Sequence, residues 1–301
     1  GVNEEISWES INFFDNEFSE DIGKILFNGG KTALNLNLNT PDMTSNGNYE
    51  KRWKIIDGER YLLKAGSKIY NQEPFNELIA TKLYERLLNK DEYVEYSVIF
   101  DDDKAISKCK NFITKDTELV PAWKINEYYE FLDDEDKYII DLVVNTFGQY
   151  GGNNLGIKDA ETLTDKMIVC DYIIANKDRH FNNFGVIRDV NTLKFIDVAP
   201  IFDNGCSLWY DENDMYVGEF FLTKPFEEYE KKQLSLVKKL EWLDISKLED
   251  FPNEVKTILS MDKLLSKERI NKIVDQIKLR IEFVKELKKS REVDADNGCE
   301  I

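Results

Sequence analysis

The chain has 301 residues, 42% of them hydrophobic, with 15 glycines and 6 prolines, which is enough apolar material for a sizeable core or two packed lobes and excludes a low-complexity chain. Its 58 acidic against 40 basic residues give a formal charge of −18; such a surface repels phosphate backbones and anionic lipid headgroups, so neither direct nucleic-acid binding nor a membrane role is expected. Cys109, Cys170, Cys206 and Cys299 form no CxxC pair, the first residues lack a signal-peptide pattern, and no run approaches the roughly 18 apolar residues of a bilayer span, so the expectation is a cytoplasmic protein with reduced thiols.

The first part of the chain mixes short strand-like runs with one helix. Arg60-Tyr61-Leu62-Leu63-Lys64 and Tyr96-Ser97-Val98-Ile99-Phe100 read as strands. Between them, Phe75, Leu78, Ile79, Leu83 and Leu87 recur at helical spacing. They predict a helix over residues 74–89, with Pro74 in the first turn, where its missing N–H costs nothing. After Phe112 the pattern turns mainly helical, with helices predicted over residues 136–147, 162–176, 227–243 and 266–289. The last carries Ile270, Ile273, Ile277, Ile281 and Val284 along one stripe. The fold class is α+β with two lobes: a small, mixed, β-rich lobe over residues 1–112 and a helical lobe over 113–290. They join near residues 109–114, and a polar tail follows at 291–301.

The most informative stretch is Asn176-Lys177-Asp178-Arg179-His180-Phe181-Asn182-Asn183-Phe184-Gly185. Asp178 and Asn183 have the Asp-x4-Asn spacing of a kinase catalytic loop. In such a loop the aspartate accepts or orients the proton of an attacking hydroxyl. The asparagine oxygen is a magnesium ligand, because that ion demands hard oxygen donors. Alone, the spacing arises by chance and equally describes a solvated loop with a helix cap. The following residues sharpen it: Phe184-Gly185-Val186-Ile187 and Leu193-Lys194-Phe195-Ile196 are strand-like around a polar turn. That hairpin returns the chain to its start, so that Asn183 and Asp203 lie side by side and can share a metal. Asp203-Asn204-Gly205 then stands where kinases place Asp-Phe-Gly, with Gly205 giving the backbone freedom to turn. His180, the one histidine of the chain, is assigned to bracing the loop or facing a phosphate.

In the first part, Lys64 ends a strand and Glu77 lies on the helix that follows. Each alone reads as a surface charge. Together they match the ion pair that holds a lysine against ATP phosphates. No GxGxxG or Walker motif is present. Asn28-Gly29-Gly30-Lys31 and Met43-Thr44-Ser45-Asn46-Gly47-Asn48 are two places where backbone N–H groups can approach phosphate, and both also read as ordinary surface hairpins.

Taken together the sequence resembles the HipA-like serine/threonine kinases, including their shorter CtkA-type members. The matching pieces are Thr44 to Lys51, Tyr61-Leu62-Leu63-Lys64, Asn76-Glu77, Lys110-Asn111-Phe112, Asp178 to Phe184, and Ala199-Pro200-Ile201-Phe202-Asp203. They run in family order over roughly residues 40 to 210. The resemblance implies a two-lobed protein-kinase-like fold, with ATP and Mg2+ as cofactors and a protein hydroxyl as acceptor. It implies Lys64 on phosphate, Asp178 as catalytic aspartate, and Asn183 and Asp203 on metal. It also implies the loop of Thr44, Ser45, Asn46 and Gly47 over the phosphates and the backbone of Lys110, Asn111 and Phe112 at the adenine. In this family the phosphate loop can carry a serine whose autophosphorylation switches the kinase off; here Thr44 occupies that place and Ser45 is adjacent. Longer members often engage an antitoxin through an N-terminal subdomain, most of which this sequence is expected to lack, so an antitoxin-like regulator is a partner implied by resemblance alone. Arg179 replaces a small residue found after the catalytic aspartate in some members. Two alternatives stand beside this reading. Asp178-Arg179-His180 followed by Asn183 also resembles the catalytic loop of phosphoinositide-type lipid kinases, which the −18 charge disfavours. A nucleotide-binding pseudokinase acting as an interaction module is disfavoured by the presence of Lys64, Asp178, Asn183 and Asp203.

Overall fold

The computed structural model describes residues 12–19, 50–67, 71–130, 156–218 and 221–297. The predicted helix over residues 136–147 and both glycine-containing loops, including Thr44, Ser45, Asn46 and Gly47, lie outside the described residues.

The β region comes first. β1 (Lys51–Ile56) and β2 (Glu59–Ala65) form a hairpin. They turn through Asp57 and Gly58, both at positive φ (52° and 80°), the backbone of a tight turn whose twist suits paired strands. β2 also pairs with β4 (Lys104–Lys110), and β4 with β3 (Tyr96–Asp101), all antiparallel, giving the order β1-β2-β4-β3. Between β2 and β3 the chain forms α1 (Glu73–Leu87), which has Pro74 in its first turn and packs against β3 and β4, with Phe75, Ile79 and Leu83 buried.

A second, three-stranded sheet has the order β5-β6-β7. β6 (Gly185–Asp189) and β7 (Phe195–Val198) are the hairpin read from the sequence. Nothing in the sequence marks β5 (Thr117–Pro121) as a strand: five residues ending in proline carry too short an alternation to stand out, and pairing with β6 decides its conformation. Gly185 is required at this seam. A Cβ there would stand 2.2 Å from the Val120 carbonyl oxygen and 2.8 Å from Pro121 Cα.

The helices among the described residues that follow are α2 (Ala122–Glu130), α3 (Ala160–Ile173), α4 (Glu230–Ser235), α5 (Phe251–Leu259) and α6 (Lys267–Asn297). The fold is therefore mixed α+β, a β-sheet region followed by a helical part. One core cluster runs through it, joining Leu83 of α1, Ile173 of α3, Phe251 of α5 and Ile277 of α6. Two expectations are corrected. The helix predicted over 227–243 shrinks to α4, because Val237, Leu240 and Leu243 are buried through turns. The backbone N–H groups of Lys238 and Lys239 donate to the buried Asp165 carboxylate (3.1 and 2.8 Å) instead of continuing a helix. The predicted tail at 291–301 begins as helix, since α6 runs on to Asn297. No helix among the described residues is long and apolar enough to cross a membrane.

Candidate active site

The site begins on β2. Strand alternation sends Leu63 and Ala65 to one face, where they pack with Ile106, and leaves Lys64 on the other. There its Nζ lies 3.3 Å from Glu77 Oε1 of α1 and 2.9 Å from Asp203 Oδ1. The lysine side chain is 15% exposed and that of Glu77 is 2% exposed. Burial works against the Lys64 charge, but Asp203, Tyr96 and Glu77 outweigh it and hold the ammonium well above its ordinary pKa. Burial pushes Glu77 up, and Lys64 only partly offsets this. For Asp203 burial also acts upward, yet the Lys64 ammonium prevails and holds the carboxyl below its usual range.

Asp203 is fixed from several sides. Its N–H donates to Tyr96 Oη (3.2 Å), and the next residue, Asn204, donates its N–H to Glu77 Oε2 (2.9 Å). Asn76 donates to the carbonyls of Gly205 and Ser207 (2.8 and 2.7 Å). Asp203 itself adopts φ 59°, a left-handed conformation that is uncommon for a non-glycine residue and clusters at functional sites. The turn expected of Gly205 is thus made at Asp203. Gly205 serves close approach instead: a Cβ there would meet Glu73 Cβ at 3.3 Å.

The loop after α3 closes on itself. Asn183 donates Nδ2 to the Asp178 carbonyl (2.9 Å) and its N–H to the His180 carbonyl (2.7 Å). That leaves the amide oxygen of Asn183 as its acceptor end. The Asp178 side chain is 34% exposed; its Oδ1 accepts from Lys224 Nζ at 2.8 Å, and its Oδ2 lies 3.8 Å from His180 Nε2. His180 Nδ1 accepts the N–H of Asn182 (3.3 Å). This contact braces the loop and assigns the ring proton to the nitrogen facing Asp178 when the histidine is neutral.

Arg179 ties this loop to the end of the hairpin. Its side chain is 0% exposed and pairs with Asp171 of α3 through Nε (2.8 Å) and Nη2 (2.9 Å). It also donates to the Asn183 carbonyl (2.9 Å), the Phe202 carbonyl and Asn204 Oδ1 (2.6 Å). Nη1 alone reaches both the Asn183 and Phe202 carbonyls, which brings the two mouths of the hairpin together. Burial opposes the guanidinium charge; Asp171 overrides it and raises the pKa further.

Of the remaining sequence-predicted residues, Lys110 and Asn111 make their contacts away from this cluster and Phe112 borders it through Tyr96 and Phe202. The Lys110 ammonium pairs with Glu59 (2.9 Å) at the surface. Asn111 donates its N–H to the Arg60 carbonyl (2.8 Å). Phe112 packs beside Phe202 (ring centroids 5.6 Å apart) in a small apolar cluster with Leu62, Val94, Tyr96 and Cys109. Sequence reasoning gave no role to Lys51, which faces Lys64 across β1 and β2 and whose pKa is lowered by burial and by Lys64. It also missed Asp171 and Lys224. Strand register would have flagged Lys51; nothing local marks the other two.

Asn183 and Asp203 suit magnesium chemically, being an amide oxygen and a carboxylate. Among the described residues no group of three or more His, Cys, Asp or Glu side chains converges to hold a metal.

A β-sheet region with a lysine–glutamate pair linking strand to helix, followed by a helical part with an aspartate loop and hairpin, defines a two-lobed kinase-like fold. Among solved structures the chain is similar to the Helicobacter pylori proinflammatory kinase CtkA, with a TM-score of 0.59 and 18% identity over 82% of this chain and 95% of that one. It is also similar to HipA in the Shewanella oneidensis MR-1 toxin–antitoxin complex of HipA, HipB and operator DNA, with a TM-score of 0.48 and 12% identity over 80% of this chain and 65% of that one. No protein-family model matches the chain, and no curated protein matches it by sequence. At these identities the likeness to CtkA establishes the fold.

Proposed function

We propose that the chain is an ATP- and magnesium-dependent HipA-like serine/threonine protein kinase. The observation that carries this reading is the convergence of Lys64, Glu77 and Asp203, 3.3 and 2.9 Å from the one ammonium, beside a loop that presents Asp178. Glu77 anchors Lys64 for the ATP phosphates. Asn183 and Asp203 would hold magnesium, which supplies charge neutralisation at the phosphates when bound. Asp203, paired with Lys64 in this structure, would turn to the metal and leave the Lys64 ammonium for phosphate. Asp178 takes the proton of the acceptor hydroxyl, and His180 braces its loop. The apolar cluster at Phe112 and Phe202 lies beside the chain of residues 110–112 and suits a purine face. By the family resemblance alone, Thr44, Ser45, Asn46 and Gly47 would be the phosphate loop, with Thr44 and Ser45 as the positions for autophosphorylation. On this reading an antitoxin-like regulator is the partner to seek.

The test is transfer from magnesium-ATP into a cell lysate, with phosphosites read by mass spectrometry. Asp178→Ala should retain nucleotide binding and lose transfer, and Asp203→Ala should lose magnesium-dependent binding. Transfer undiminished in Asp178→Ala would sink the mechanism. Phosphorylation of vesicle lipids with none of protein would turn the assignment to a lipid kinase.

A further inference from the structure

Asp178 has a partner that comes from elsewhere in the chain. Lys224 lies 46 positions away in sequence, yet its Nζ meets Asp178 Oδ1 at 2.8 Å. Both side chains are partly exposed, and an exposed ion pair of this kind contributes little to folding. The backbone carrying Lys224 is nevertheless fastened on both sides. Gln233 of α4, 4% exposed, donates Nε2 to the Lys224 carbonyl (2.7 Å) and accepts the N–H groups of Phe226 (3.1 Å) and Glu227 (3.4 Å). Thr223 donates its N–H to the Glu228 carbonyl (2.9 Å), and Leu222 bridges to Tyr229. Phe226 is buried against Phe181 and Phe184, with ring centroids 6.4 and 5.9 Å apart. These two rings flank Asn182 and Asn183, so the Lys224 segment is packed onto the very loop whose aspartate it grips.

We infer that Lys224 is a positioning residue for phosphoryl transfer: it clamps Asp178 Oδ1, fixes the carboxylate rotamer, and leaves Oδ2, 3.8 Å from His180 Nε2, to take the acceptor proton. This rests on the kinase reading above. In the step concerned, the acceptor oxygen forms a bond to the γ-phosphorus while the bond from that phosphorus to the β,γ-bridging oxygen breaks. ADP leaves with the electron pair, and the hydroxyl proton passes to Asp178. A carboxylate free to rotate would spend most of its time misaligned, and misplacement on the scale of 1 Å costs roughly 100-fold in rate.

The experiment measures ATP hydrolysis with magnesium-ATP, water serving as the acceptor, in the parent chain and in Lys224→Met, Lys224→Arg and Asp178→Ala. Stabilisation of the thermal midpoint by magnesium-ATP is recorded for each as a readout independent of turnover. Lys224→Met should lose kcat by roughly 10- to 100-fold, with KM for ATP and nucleotide stabilisation kept within about twofold of the parent. Lys224→Arg, which keeps the charge and a donor, should recover most of the loss. An unchanged kcat in Lys224→Met, a loss carried by KM instead, or an arginine variant as impaired as the methionine one would each overturn the inference. Turnover lost in Asp178→Ala but kept in Lys224→Met overturns this inference alone. A parent chain that neither binds nor turns over ATP overturns the kinase reading, and this one with it.

Discussion

Arg179 is the residue on which the candidate site most depends structurally, and Asp171→Asn tests that dependence without touching the loop. Arg179 is fully buried and meets one carboxylate, that of Asp171, at 2.8 and 2.9 Å. Removing that charge leaves the guanidinium buried and uncompensated and turns an amide N–H2 toward donors it cannot satisfy. Breaking a buried pair in this way costs about 3–5 kcal/mol, and for a chain of this size it lowers the thermal midpoint by on the order of 10 °C. Urea unfolding followed by the fluorescence of the buried Trp209 measures the free energy directly. The double variant Asp171→Leu/Arg179→Met removes both charges together. Its cost should fall well below the sum of the costs of Asp171→Leu and Arg179→Met made singly, since neither charge is left stranded. A loss under about 1 kcal/mol in Asp171→Asn, or a double variant at the full sum, would refute the claim that one buried pair holds the hairpin mouths together.

Three further outcomes follow from the same geometry. Burial raises the Asp165 carboxyl from 3.8 to about 6 against its two backbone donors. The folded chain therefore keeps a proton that the unfolded chain releases, and this group's stabilisation is complete below about pH 4 and lost as pH rises through about 6. Asp165→Asn cannot titrate, so its unfolding free energy relative to the parent should shift in its favour by about 2 kcal/mol between pH 4 and pH 7; parallel pH curves would refute this. In Gly185→Ala the new methyl meets backbone at 2.2 and 2.8 Å, which cannot yield as a side chain would. Stability should fall by about 1–3 kcal/mol or more, seen as a lower thermal midpoint; an unaltered midpoint contradicts the close approach of β5 and β6. Lys64→Met strands Glu77 beside Asp203, and should abolish nucleotide-induced stabilisation while the chain still unfolds cooperatively.

What the sequence disclosed followed the range of the interactions involved. α1 is legible because Phe75, Ile79, Leu83 and Leu87 repeat on one face after a proline, and the β6–β7 hairpin because two apolar runs flank a polar turn. The Lys64–Glu77 contact spans only 13 positions, short enough for strand-then-helix order to place it. Lys64–Asp203 spans 139 positions, and only analogy with kinases could join them. The failures have physical causes. Val237, Leu240 and Leu243 are spaced like a helix face, but Asp165 captures the backbone donors that a helix would use. Arg179 sits between an aspartate and a histidine in a polar stretch and reads as solvated, because its partners are carbonyls and side chains of three separate segments. Lys224 carries no local signal, since its meaning depends on how the chain after β7 folds back over the loop.

The −18 charge and the candidate cleft are compatible because they act at different ranges. Charges farther apart than about 8 Å are largely screened at physiological ionic strength, so the acidic surface governs what approaches the molecule but not the contacts inside the site. There the order reverses. Lys51 and Lys64 face each other across paired strands, and Lys224 stands over Asp178. The burial and mutual repulsion that lower the Lys51 pKa are a cost that an anionic group between the two strand lysines would offset. On the kinase reading the phosphates of ATP are that group, with magnesium removing part of their charge. Excess acid over base in the composition thus argues about partners, while strand register at Lys51 and Lys64 argues about the ligand.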